Sequence, residues 1–285
     1  MKFNFVFSSA PGLAAAIALA VSDVLAKIII HAHGGVLTML SFRNVVGFVF
    51  LTLWLRLGPA APTNPRIRWV SLGVGVVFAA LTFCLFKAIE ANDVATAILT
   101  YFVYPLLTGL VASASGLERL TWRGAICALV AFLGLAVMIG AHPAGLALAG
   151  IAFALGAACC RTVVLIVSRA FLADADARLT TWYSVIAQLV IFVAVSVATQ
   201  TWDPPQTNGG WVALVAMSLA TTAAILFMFV STIRIGPFRT ALIMNLEPFT
   251  AMALSALMLG ELVTPLQGAG SGIMLAALLA FQLWK

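Results

Sequence analysis

The sequence predicts an all-α membrane protein of ten transmembrane helices arranged as two inverted five-helix repeats. Three observations carry this. First, the 285 residues are 63% hydrophobic and 8% charged, with a mean hydropathy of +1.13. So few charges cannot cover a water-soluble globule, whereas a bilayer needs no such cover. Second, the apolar runs are about 20 residues long and lack the period-two alternation of a membrane β-barrel. Third, the chain matches itself when slid by 142 to 143 residues. Disorder is excluded by the same composition. The net charge of +6 comes from singly scattered basic residues rather than a basic patch, so lipid, not nucleic acid, is the expected surrounding.

Each span follows from its apolar run and its flanking turn. Span one, 9–31, comes after a positive start that imitates a secretory signal, but the run continues past Asp23 to His31 and reads as uncleaved. HAHGG at 31–35 leads into span two, 35–57, and PAAPTNP at 59–65 separates it from span three, 69–88. Tight breaks near 90 and 118 delimit span four, 93–114, and span five, 121–141. AHPAG at 141–145 divides the chain into expected units 1–141 and 146–285. Span six, 146–171, ends before DADAR at 174–178, and span seven, 179–199, ends before DPPQTNGG at 203–210. Spans eight to ten, 210–234, 238–258 and 265–284, are separated by tight breaks near 236 and 261. Thr121 and Thr264 suit helix N-caps, Pro265 suits a first helical position, and Glu118 and Glu261 just before them read as structural. Gly268 and Gly272 form a small-xxx-small pair suited to close packing within the chain, the preferred reading, or to a dimer contact.

Basic residues fix the expected orientation. Lys2, Arg56, Arg66, Arg68, Arg119, Arg123, Arg169, Arg178, Arg234, Arg239 and Lys285 fall on one side, while only Lys27 and Lys87 approach the other. The positive-inside rule then puts both termini in the cytoplasm, in a multi-pass inner-membrane protein. Under the repeat shift, Trp69, Val70 and Leu72 fall on Trp211, Val212 and Leu214, and Pro105, Glu118 and Thr121 fall on Pro248, Glu261 and Thr264. Because each half holds five spans, the second must enter the membrane inverted.

Pro105 and Pro248 are the two prolines near the middle of a span, and they are repeat equivalents. Each leaves the carbonyl four residues earlier, of Tyr101 or Met244, without its donor, so spans four and nine should bend there. The bend is either a static kink or a hinge. Charges inside a span cost about 2.5–3.5 kcal/mol each on the insertion scale, so they should face a cavity or a partner. Asp23, Lys27 and Arg43 share the half of the membrane near the 31–35 turn. They form either an ion cluster joining spans one and two or a relay for protons or substrate. Arg161 and Glu247 lie near the midplane, with Tyr101, Tyr104, Gln188 and Asn245 at similar depth. This set would suit a zwitterion, or Arg161 and Glu247 simply neutralise each other.

No metal or cofactor is predicted. The histidines, His31, His33 and His142, lie in loops without a neighbouring carboxylate or cysteine. Cys84, Cys127, Cys159 and Cys160 sit in apolar runs without CxxC spacing and read as small hydrophobes. An intramembrane enzyme would need a nucleophile or metal at depth, and HExxH, GxSxG and GxxxxGK[ST] do not occur. A scaffold role has no positive feature.

The stretches DVATAILTYFVYPLLTGLVASASGLERLTWRG at 93–124 and RTALIMNLEPFTAMALSALMLGELVTPLQGAG at 239–270 resemble the tandem pattern of the drug/metabolite transporter superfamily, ten-span EamA type. The architecture is also similar to the YddG-like amino-acid exporters. The second stretch keeps Gly260 and Glu261 adjacent, while Leu117 separates Gly116 from Glu118 in the first. The resemblance implies a secondary exporter of amino acids, aromatic and other, or related small metabolites, working by alternating access through a cavity between the repeats. It also implies a small-molecule partner; a monomer is expected. Sugar-phosphate transport is the rival, with Lys27, Arg43 and Arg161 as the basic groups it would need.

Overall fold

The computed structural model describes residues 2–58, 64–92, 94–140 and 147–283. The helices are α1 (Lys2–His31), α2 (Val36–Leu57), α3 (Pro65–Ala91), α4 (Val94–Tyr101), α5 (Tyr104–Ala114), α6 (Trp122–Ile139), α7 (Leu148–Phe171), α8 (Ala177–Thr199), α9 (Asn208–Ile235), α10 (Pro237–Met244), α11 (Leu246–Leu259) and α12 (Pro265–Leu283). Every regular element among the described residues is helical. Among the described residues, nine segments are long and apolar enough to cross a membrane, counting α4 with α5 and α10 with α11 as single spans; the apolar stretch of α12, Pro265–Phe281, is shorter. The expected division at 141–146, with His142, lies outside the described residues, as do residues 59–63, Asp93 and Lys285.

Local chemistry explains the boundaries. Asn64 accepts the Arg66 amide at 3.1 Å with Pro65 in the first helical position, so α3 starts four residues before its apolar run does. Asp176 caps α8 through the Arg178 amide at 2.9 Å, and Thr207 caps α9 through the Gly210 amide at 3.0 Å. Thr121 caps α6 as expected, accepting the Gly124 amide at 3.1 Å. Thr264 and Gln267 form a reciprocal capping box at the start of α12, with Pro265 in the first position.

The two proline breaks occur where the sequence places them. Span four ends its first helix at Tyr101 and restarts at Tyr104; span nine ends at Met244 and restarts at Leu246. Pro105 and Pro248 each stand in the first turn of the restarted half, where a missing amide hydrogen costs nothing.

The repeats interlock rather than sitting side by side. Span one (α1) packs along span eight (α9), and the repeat mates, span six (α7) and span three (α3), pack in the same way. Spans two and seven pair, as do spans five and ten. In the last pair, Gly134 and Gly270 bring the backbones together, for a Cβ on Gly134 would stand 2.7 Å from the Met274 amide nitrogen and 2.9 Å from the Gly270 carbonyl. This corrects the small-residue reading: Gly270 makes the contact, whereas Gly268 and Gly272 face open space. Large apolar side chains such as Leu110, Leu133, Val190 and Leu279 point outward, which suits lipid contact. Cys159 is on that outer surface too, and Cys127 is buried.

One departure from symmetry matters. The first half of span nine (α10) packs against the second half of span four (α5), but the mate pair, α4 with α11, is not packed in this way. Below, the face bearing the 115–121 loop is called the basic face and the face bearing the 31–35 turn the sparsely charged face.

Candidate functional site

The gap between α4 and α11 belongs to a cavity of about 280 Å³. It runs from mid-membrane to the turns near Ala26 and Val36 at the sparsely charged face. Its lining contains Asp23, Arg43, Tyr101, Arg161, Gln188 and Glu247 together with an apolar wall that includes Met39, Phe78, Leu81, Phe86, Met217 and Ile225. Six of the residues singled out in the sequence therefore meet in one space, although they come from six spans.

Asp23 lies eight residues before the end of α1, about 12 Å deep at the helical rise. Its side chain is exposed to the cavity. Arg43 enters from α2, and its Nε is buried with no hydrogen-bond partner. Arg161, 5% exposed, comes from α7 at the cavity floor. Its Nη2 donates to Met244 Sδ at 3.4 Å, its guanidinium lies 5.6 Å from the Tyr104 ring centroid and 6.0 Å from that of Phe78, and its Nε has no partner. Glu247 rises from the first turn of α11, directly after the span-nine break. Among the described residues, no ion pair within 4 Å joins Asp23, Arg43, Arg161 or Glu247 to one another. The self-neutralising Arg161–Glu247 pair is thus not formed. Two cationic and two anionic side chains face one cavity with their charges unmatched by direct contact.

Among the described residues no ion pair within 4 Å joins Asp23, Lys27 and Arg43 to one another either. Lys27 turns away to grip Glu261, with Nζ 2.9 and 3.0 Å from its carboxylate oxygens, and donates to Ser255 Oγ at 3.3 Å. The physical reason is reach: Asp23 and Lys27 share a helix face, but the long lysine stem carries its ammonium toward the loop after span nine. Lys27 therefore joins spans one and nine and is not among the residues that line the cavity.

Tyr104 lies beneath the floor rather than in it. It is 1% exposed, packs on Tyr101 with ring centroids 5.3 Å apart, and donates its hydroxyl to the Ala241 carbonyl at 3.4 Å. Asn245 is buried in the span-nine break with its Oδ1 unpartnered. Gln188 donates Nε2 to the Ser184 carbonyl of its own helix at 3.4 Å. Sequence reasoning missed Ser22 and Thr221, whose hydroxyls meet at 2.7 Å on the cavity wall, and Thr82. The adjacency of Ser22 to Asp23 was the available signal.

Below the floor the basic-face half is packed shut. Thr108 and Thr162 share a hydrogen bond of 3.2 Å. The Phe238 ring sits so close to Gly109 that a Cβ there would stand 2.7 Å from it. Glu118 reaches across from the 115–121 loop, accepting the Phe238 amide at 2.9 Å and the Arg239 Nε at 3.3 Å. Burial raises the Glu118 carboxyl above its ordinary pKa, against the lowering pull of the Phe238 amide and Arg239.

The model of the EamA-like transporter family matches residues 10–140 and again residues 148–282. The chain belongs to the EamA-like transporter family. This EamA-like protein is matched once per half, in keeping with its internal repeat. A solved crystal structure, described only as that of a protein, superposes on the EamA-like chain with a TM-score of 0.79, covering 95% of this chain and 99% of its own. At 17% identity that likeness establishes the fold alone. No curated protein matches the sequence.

Proposed function

We propose that this EamA-like transporter exports amino acids, aromatic and other, across the cytoplasmic membrane by alternating access. The carrying observation is the set of unmatched charges in the 280 Å³ cavity: Arg43 and Arg161 against Asp23 and Glu247, beside an apolar wall. A zwitterionic α-amino acid answers that arrangement. Its carboxylate takes the guanidinium of Arg161, whose planar donors suit such a group, and its ammonium takes Glu247 or Asp23. The side chain lies on Phe78, Tyr101 and the leucines and methionines around them. Asn245 and Tyr104 belong to this reading as the support of the floor.

A sugar phosphate fits less well. With Lys27 committed to Glu261, the two remaining cations are balanced by two carboxylates in the same space, so a multiply charged anion would meet repulsion as well as attraction.

Alternating access is supported by the proline breaks of spans four and nine and by their unequal packing at the two faces. In this reading the basic face is cytoplasmic, both termini lie there, and the cavity faces outward. The test is reconstitution in liposomes and measurement of labelled amino-acid flux. Saturable flux of amino acids but not of sugar phosphates is expected; the reverse preference overturns the assignment.

A further inference from the structure

Passage from the cavity to the basic face is blocked in layers: the Tyr104 hydroxyl on Ala241, the Thr108–Thr162 pair, and the Phe238 ring wedged beside Gly109, Gly124 and Phe281. The first two are neutral hydrogen bonds of 3.2 Å or more and the third is apolar contact. Glu118 differs in kind. Its carboxylate crosses from the loop between spans four and five to the first turn of span nine, making charge-assisted contacts to the Phe238 amide and Arg239.

The receiving end is shaped for it. α10 has no side-chain cap of its own, Pro237 contributes no amide hydrogen, and Gly236 adopts φ +98°. A Cβ on Gly236 would stand 2.7 Å from the Glu118 carboxyl carbon. The helix start therefore offers an amide, a positive dipole end and a space free of side chain, and one carboxylate fills all three. The side chain of Glu118 is 11% exposed.

The repeat mate behaves oppositely. Glu261, at the open face, is 49% exposed and held by Lys27 of α1, and among the described residues no hydrogen bond or ion pair joins it to the start of span four. The same sequence position is engaged across the closed face and disengaged across the open one.

From this contrast we propose that Glu118 is the latch of the basic-face gate: it holds the first turn of span nine, and with it the Phe238 plug, against spans four and five, and must let go for the cavity to open to that face. The proposal rests on the alternating-access reading above. Glu118 is a positioning residue, acting on substrate passage through α10 and contacting no substrate itself.

The test uses spin-label distances in the full-length protein with its four cysteines replaced. One pair of labels, at Ser115 and Arg234, spans the basic face; a second, at Val94 and Leu262, spans the sparsely charged face; all four sites are exposed. E118A and, independently, G236A should each raise the population with a long basic-face distance several-fold, with a matching gain of short distances at the other face. E118Q keeps an acceptor for the Phe238 amide but loses the charge, and should fall between. A latch that merely braced the fold would lower thermal stability without moving these populations. The proposal is overturned if the parent protein samples both populations while E118A, E118Q and G236A leave their ratio unchanged. If neither distance changes in any protein, with or without saturating amino acid, alternating access itself fails and the latch fails with it.

Discussion

Replacing Arg161 by glutamine separates a ligand-binding arginine from one that props up the bundle. Arg161 is buried at the cavity floor, touches the Met244 sulfur and the Tyr104 ring, and has no carboxylate within 4 Å among the described residues. Glutamine thus removes a buried charge without stranding a directly paired one, so the large penalty for breaking a buried ion pair should not arise. The melting temperature should hold within about 4 °C, the shift that roughly 1 kcal/mol produces in a chain of this size. Affinity should respond differently. A charge-assisted hydrogen bond contributes about 1.5–3 kcal/mol, which is about a 10- to 150-fold loss in apparent affinity for a carboxylate ligand. Amino-acid uptake into liposomes, with KM resolved from the maximal rate, measures this alongside a melting curve. Glu247→Gln should behave in the same way, and the double variant should be no better than the worse single one. Full flux and restored stability in the double variant would show that the two residues serve each other, and would refute the ligand role.

Three other expectations follow from the same geometry. If the breaks at Pro105 and Pro248 are hinges, alanine at either should slow flux several-fold at near-normal membrane expression; unchanged flux in both would make them static kinks. Asp176 is held below its ordinary pKa, first by the Arg178 side chain and then by the Arg178 amide, so its contribution to stability is complete above about pH 4 and disappears as pH falls through its lowered value. Melting curves from pH 7 to pH 3 should show a smaller acid loss in Asp176→Asn, which retains the N-cap acceptor; equal losses would contradict the assignment. A single cysteine at Asp174 should resist impermeant thiol reagent in intact cells while one at Asn208 reacts, and the opposite pattern would reverse the proposed orientation.

Much of the fold was legible because the bilayer imposes length and the repeat imposes order. Ten apolar runs, two mid-span prolines and an odd number of spans per half are properties of the chain that no packing detail can override. Counting along each helix put Asp23 and Arg43 in the outer part of the membrane and Arg161, Gln188 and Glu247 near the midplane as two separate sets, whereas the structure lines one cavity with both. Partners were not legible. Helical periodicity joined Lys27 to Asp23, but a four-carbon stem let the ammonium choose Glu261, 234 residues away. Glu118 was read as serving the helix that follows it, as Thr121 does, yet its carboxylate serves a helix 120 residues later. Tyr104 shares the depth of Glu247 by the repeat, but a floor has two sides, and only the packing of α5 on α10 decides which side a ring occupies.

The most direct test of the account is whether the cavity is the path and amino acids its occupants. Thr82 lines the cavity from α3 and hydrogen-bonds its own helix, at the Phe78 carbonyl, so cysteine there in a background without the native cysteines should fold and transport. A charged, impermeant thiol reagent applied from the side of the sparsely charged face should then abolish amino-acid flux in liposomes, and saturating amino acid should slow the modification several-fold. Flux that survives complete modification of Thr82→Cys, or modification that amino acid does not slow, would contradict the account.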